Sequence, residues 1–173
     1  MALLPVLVAP DPRLKIKAKP VPQVDDTVRR LMDDMLETMY EAPGIGLAAP
    51  QVGRPVRVIV VDVAREGEAP QPLRLVNPEI LWRSEELATY NEGCLSLPEH
   101  YADVTRPAEI RLRCLDERNE TREMEAKGLL ATVLQHEMDH LDGVLFVDHI
   151  SPLKRNIILR KLAKAKRLNA EAV

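Results

Sequence analysis

The chain has 173 residues, 46% hydrophobic and 29% charged, a balance that suits one folded domain with a real core. Its 24 basic and 27 acidic residues leave a formal net charge of -3, which gives no reason to expect nucleic acid as a substrate. Two cysteines make no disulfide framework and suit a reducing compartment. The first ten residues are apolar but contain Pro5 and Pro10, with no basic residue before them, so they make a poor signal peptide. No stretch approaches a membrane span, and the cytoplasm is the expected location.

In chain order, Asp26 is expected to cap a helix whose apolar positions are Val28, Leu31, Met32, Met35, Leu36 and Met39. Pro43 and Gly44 should end it, and its methionines read as core filling rather than a binding surface. Gly44-Ile45-Gly46 lacks a phosphate-binding continuation, so a nucleotide loop is not expected. A helix stop explains Gly44 but not Gly46, whereas glycine beside a site permits close backbone approach. Val56 to Val63 is β-branched at every position but Arg57 and Asp62 and reads as a buried strand. Leu73 to Trp82 and Glu85 to Tyr90 are expected strands, while Cys94, between Gly93 and Pro98, should lie on irregular, accessible backbone. Ala108 to Leu115 and Thr121 to Glu125 should pair around a turn at Glu117-Arg118-Asn119-Glu120. Two helices follow: an apolar one from Gly128 through His140, and a final one from about Pro152 to Leu168. This order predicts one α+β domain over residues 1–173, with mixed or antiparallel sheets wrapped around the penultimate helix, an N-terminal helix and a C-terminal helix.

The chemistry concentrates in His136-Glu137-Met138-Asp139-His140, an H-E-x-x-H run. Residues four apart share a helix face, so both imidazoles can reach one metal ion, and Glu137 stays near enough to take a proton from activated water. An accidental match in a chain of this length is on the order of one in a hundred. A catalytic ion wants a third protein ligand and an open position. In the extended metalloprotease pattern that ligand would fall at Phe146, which cannot ligate, and the only late glutamate is Glu171. Cys94 is the best remaining donor. Cys114 shares a strand face with Ile110 and Leu112 and reads as core, and His100 and His149 read as loop histidines.

Gly44-Ile45-Gly46-Leu47-Ala48-Ala49-Pro50-Gln51, Glu92-Gly93-Cys94-Leu95-Ser96 and Gln135-His136-Glu137-Met138-Asp139-His140, in that order and spacing, resemble the signature of the peptide deformylases. The resemblance covers nearly the whole chain. It implies a cytoplasmic hydrolase that removes the formyl group from the initiator methionine of nascent polypeptides. Its metal would be held by Cys94, His136 and His140, with Glu137 as proton carrier and Gln51 and the Leu95 N–H stabilising the oxyanion. It also implies that Gly44, Ile45 and Gly46 pair with the substrate backbone, and that Leu129, Thr132 and Val133 line a methionine pocket. Iron(II) is the expected ion, with zinc, nickel or cobalt as substitutes. Further implications are a buried Glu92–Arg106 ion pair bracing the cysteine segment, a monomer, and ribosome docking through the basic C-terminal helix. That helix is expected to dock on the domain through Leu153, Ile157, Ile158, Leu162 and Ala165. The rival readings are a zinc peptidase and a non-catalytic metal-binding module.

Overall fold

The computed structural model describes residues 2–171. Helix α1 (Asp26–Glu41) is capped by Asp25, whose side chain accepts from the Val28 N–H, rather than by Asp26, which pairs with Arg29 one turn on. The apolar stripe behaves as expected, and Met32, Met35 and Met39 are fully buried. Seven strands follow: β1 (Gly46–Ala48), β2 (Val58–Val61), β3 (Leu73–Arg83), β4 (Leu87–Cys94), β5 (Leu97–Pro107), β6 (Glu109–Leu115) and β7 (Thr121–Lys127). Helix α2 (Gly128–Leu141) carries the H-E-x-x-H run, and α3 (Pro152–Glu171) closes the order.

All strand pairs are antiparallel, in a five-stranded sheet ordered β1-β2-β3-β6-β7 and a two-stranded β4-β5 hairpin. The only parallel contact among the described residues is an isolated bridge between Lys19 and Val56. Strand β2 explains its own composition. Ile59 and Val61 pack toward α2, whereas Val58 and Val60 pack toward α1, so both faces are buried and every position is β-branched. It is shorter than the 56–63 run because Val56 is spent on that bridge. The β6–β7 turn falls where the sequence placed it, with the Asp116 N–H donating to the Glu120 carbonyl.

Cys94 ends strand β4 at a register shift between Gly93 and Cys94 and borders a groove, so the irregular, accessible backbone expected there is confined to one step of an otherwise regular strand. Strand β5 has no counterpart in the sequence reading. Its prolines and charges mask it, because the hairpin buries few β5 residues, among them Val104 and Arg106. Of its apolar residues, helix α3 docks through Ile158, Leu159 and Leu162, beside an Arg155–Asp148 ion pair, and leaves Leu153, Ile157 and Ala165 exposed. That short apolar patch joins a core cluster with Ala9, Leu14, Leu97, Val104 and Phe146.

Candidate metal centre

Helix α2 lies between the sheet and the hairpin, with His136 and His140 on its buried face. Their rings meet edge to face, 5.1 Å between centroids. Strand β4 delivers Cys94 to the same point, with Sγ 3.3 Å from His140 Nε2. Donor atoms of Cys94, His136 and His140 lie within 4.8 Å of one another, the only such cluster of three or more His, Cys, Asp or Glu among the described residues. Ligands about 2.0–2.3 Å from a tetrahedral ion sit roughly 3.5 Å apart, so the donor set fits one divalent ion. Three protein donors leave a position open, which disfavours a closed structural site.

The surroundings also suit a cation. His136 Nδ1 donates to Glu92 Oε1 at 2.9 Å, which leaves Nε2 for the ion. Burial opposes charge on His136, yet the Glu137 carboxylate and contacts with Cys94 and Glu92 raise its pKa well above the ordinary value. The field that would hold a proton there would equally hold a metal ion. His140 goes the other way: burial and the positive charges of His136 and Arg106 depress it, keeping the neutral, ligating form. Glu92 is desolvated, but bonds from Arg106 and His136 outweigh that and lower its pKa. Arg106 grips it at both oxygens, Nε to Oε2 at 2.8 Å and Nη2 to Oε1 at 2.9 Å, with both side chains 5% exposed. The braced, buried pair expected from the resemblance is present.

Glu137 stands beside the cluster, its pKa pushed up to about 7, chiefly by burial. Its Oε1 is buried with no hydrogen-bond partner. Gly46 faces it: a Cβ there would lie 2.5 Å from Glu137 Oε2, so the glycine makes room for the carboxylate itself. Gln51 sits in a 3-10 turn, Ala49–Val52, immediately after β1. Its Oε1 accepts from the Ala48 N–H at 2.9 Å, and its Nε2 donates to Ser96 Oγ at 3.0 Å and toward Cys94 Sγ at 3.4 Å.

These residues line a groove of about 680 Å³, bordered by Gly44, Ile45, Gly46, Gln51, Cys94 and Leu95 as well as His136 and Glu137. A side cavity of about 90 Å³ opens beside it, walled by Ile45, Tyr90, Leu129, Thr132 and Val133. Every site residue singled out in the sequence thus meets at one place. Leu95 borders the main groove and not the side cavity, because the shift at Gly93 carries it past Cys94 into the hairpin turn. His100 lines the groove, whereas His149 lies outside it against Asp139. Ser96 and Asp139 escaped the sequence reading although both sit inside quoted motifs, since neither position is chemically distinctive by itself.

A family profile described as polypeptide deformylase matches residues 3–156. The peptide deformylase of Methylocella silvestris is 58% identical, covering 99% of this chain and 89% of that protein. That of Phenylobacterium zucineum is 59% identical over 95% of this chain and 97% of that one. The crystal structure of peptide deformylase from Ehrlichia chaffeensis superposes with a TM-score of 0.92 at 36% identity, covering 98% and 99% of the two chains.

Proposed function

Because the chain belongs to the polypeptide deformylase family, we propose a division of labour among the residues of its groove. The reaction is hydrolysis of the N-formyl group from the N-terminal methionine of newly made polypeptides, giving formate and a free amine. The observation that carries the assignment is the three-donor cluster with a buried, unpartnered carboxylate oxygen beside it. Cys94, His136 and His140 hold the ion, which when bound supplies Lewis-acid activation of water and of the formyl carbonyl. Iron(II) is the ion in this reading, and zinc, nickel or cobalt suit the same thiolate and imidazoles.

Glu137 takes the proton of the attacking water and passes it to the amine nitrogen as the C–N bond breaks. Burial raises this carboxyl above the ordinary carboxylate range, which suits a group that must both take up and give back a proton. Gln51 and the Leu95 N–H donate to the oxygen on which charge develops. Ser96 and Ala48 fix the Gln51 amide, so the hydrogen directed toward Sγ is the one left to donate to that oxygen. Strand β1 is an edge strand, and Gly44, Ile45 and Gly46 on the groove wall pair with the peptide backbone. The side cavity of Leu129, Thr132 and Val133 takes the methionine side chain, and its size supports this.

Residues 1–173 act in this reading as a single monomeric domain in the cytoplasm, where the nascent substrate appears. Lys154, Arg160, Lys161, Lys164, Lys166 and Arg167 are exposed on α3 with no acidic residue among 154–167, which supports docking to ribosomal RNA. Reversing charge at Lys161, Lys164 and Arg167 should weaken ribosome binding while turnover of a short formyl-Met peptide stays unchanged; undiminished binding at low salt would make α3 scaffold only.

Comparing formyl-Met peptides with unformylated ones separates this activity from peptidase action and from a non-catalytic module. Glu137→Ala should keep the ion and lose most turnover, whereas Cys94→Ala should lose the ion. A Glu137→Ala protein emptied of metal beside a fully loaded Cys94→Ala would overturn the roles.

A further inference from the structure

Asp139, inside the H-E-x-x-H run, has no part in the reaction just described. Helix α2 turns it away from the groove onto a second cavity of about 520 Å³, whose lining includes Arg57, Arg106, Gln135, Asp139 and His149. There a single oxygen, Oδ2, accepts from Arg106 Nη1 at 2.8 Å and from His149 Nε2 at 2.8 Å. Arg106 commits its other edge to Glu92, and Glu92 receives His136 Nδ1. Contacts of 2.8–2.9 Å therefore run without a gap from His149, 37% exposed, to the His136 ring, 7% exposed.

Resting on the ligand assignment above, we propose that Asp139 and His149 are positioning residues for the metal centre, setting the His136 ring from the far side of α2. A guanidinium bonded along one edge can still rock about that edge, and a carboxylate on Nη1 removes the freedom. Without Asp139, Nη1 would also be a donor of a buried group left without its partner. His149 in turn fixes Asp139. It comes from the 3-10 turn Phe146–His149, so the chain after α2 folds back to hold a carboxylate that α2 itself presents. Hydrogen bonds behind a ligating imidazole select its tautomer and orientation, and losing such partners weakens metal binding.

The bland alternative is a staple between turn and helix, which would affect stability alone. Cobalt(II)-substituted holoenzyme distinguishes them through its visible absorption and the rate at which a chelator strips the ion, with unfolding of the metal-free proteins measured in parallel. His149→Phe should release cobalt about tenfold faster with altered absorption. Asp139→Asn should move the same way, and adding His149→Phe to it should change little, since both act through one carboxylate. His149→Gln, which keeps a donor within reach of Asp139, should return most of the way to the parent. His149 is partly exposed, so its variants are expected to fold. Parental absorption and stripping rates in His149→Phe, with or without a lower unfolding temperature, would overturn the proposal. A parent lacking thiolate-to-cobalt absorption would instead sink the ligand assignment beneath it.

Discussion

The two sides of α2 are held by different physics. Toward the five-stranded sheet, Ala131, Leu134, Met138 and Leu141 pack against Ile59, Val61, Leu75, Ile110 and Leu112, a close-packed seam with no direction built into it. Toward the β4–β5 hairpin, the helix is tied by directional contacts: His136 to Glu92, Asp139 to Arg106, and Cys94 against His140. Apolar burial supplies most of the free energy that keeps the helix in place. In the ligand assignment proposed above, polar bonds would fix the angles at which the ligands meet, which a metal centre needs to a fraction of an ångström. One side of the helix would then serve stability and the other aim.

Each side carries one cysteine, and they offer the sharpest way to break this comparison. Cys94→Ala should abolish tight metal binding and with it turnover, whereas Cys114→Ala should keep both, since Cys114 is buried in the sheet seam. Thiol labelling of the metal-free protein makes the same contrast without mutation. Cys94 opens on the groove, but burial pushes the Cys114 thiol up to about 11, so Cys114 stays protonated below that pH. An alkylating reagent at pH 8 should modify Cys94 alone, with Cys114 following only as the pH nears 11 or on unfolding. Equal labelling at pH 8, read by peptide mass, would contradict the division.

Next in size is a pair of truncations. Arg106→Ala should cost about 3–5 kcal/mol, because it leaves Glu92 buried without its partner. Leu112→Ala should cost about 2–5 kcal/mol through the cavity it leaves in the sheet seam. Denaturant unfolding would thus rank the two alike, and metal retention should not. The arginine variant is expected to release its ion faster than the parent, and the leucine variant at the parental rate. A leucine variant that lost metal in proportion to its stability would merge the two sides into one.

Much of this was legible in the sequence, for reasons that differ by element. The i, i+4 spacing of His136 and His140 is a helix rule, and the β-branched run of β2 reports burial on both faces. Cys94 could be chosen because Cys114 falls in an alternating strand pattern and Cys94 does not. Strand β5 was hidden, since a hairpin that buries few residues per face leaves too weak a periodicity over Leu97–Pro107. The Asp139–His149 contact was hidden for another reason: polar pairing across ten residues has no periodic trace, and both residue types are ordinary at a surface. The α3 docking face was overstated because five apolar residues at helical spacing say nothing of how much domain lies beneath them.

The smallest expected effect tests whether burial, rather than ion pairing itself, gives the hairpin side its weight. Arg113 on β6 faces Glu79 on β3, a cross-strand pair at 3.4 Å on the outer face of the sheet, with side chains 46% and 63% exposed. The chemical partners match those of Arg106 and Glu92, and the dielectric around them does not. Water solvates both charges before and after folding, so the Coulomb gain is small and holding two long side chains together offsets part of it. Arg113→Ala should therefore change stability by about 0–1 kcal/mol. What difference there is should shrink in high salt, which screens exposed pairs far more than buried ones. Metal retention and turnover should match the parent, since Arg113 points away from α2. Urea unfolding of both arginine variants at low and high salt makes the comparison directly. A salt-insensitive loss for Arg113→Ala as large as that for Arg106→Ala would mean that pairing alone, wherever it sits, carries the energy assigned here to burial.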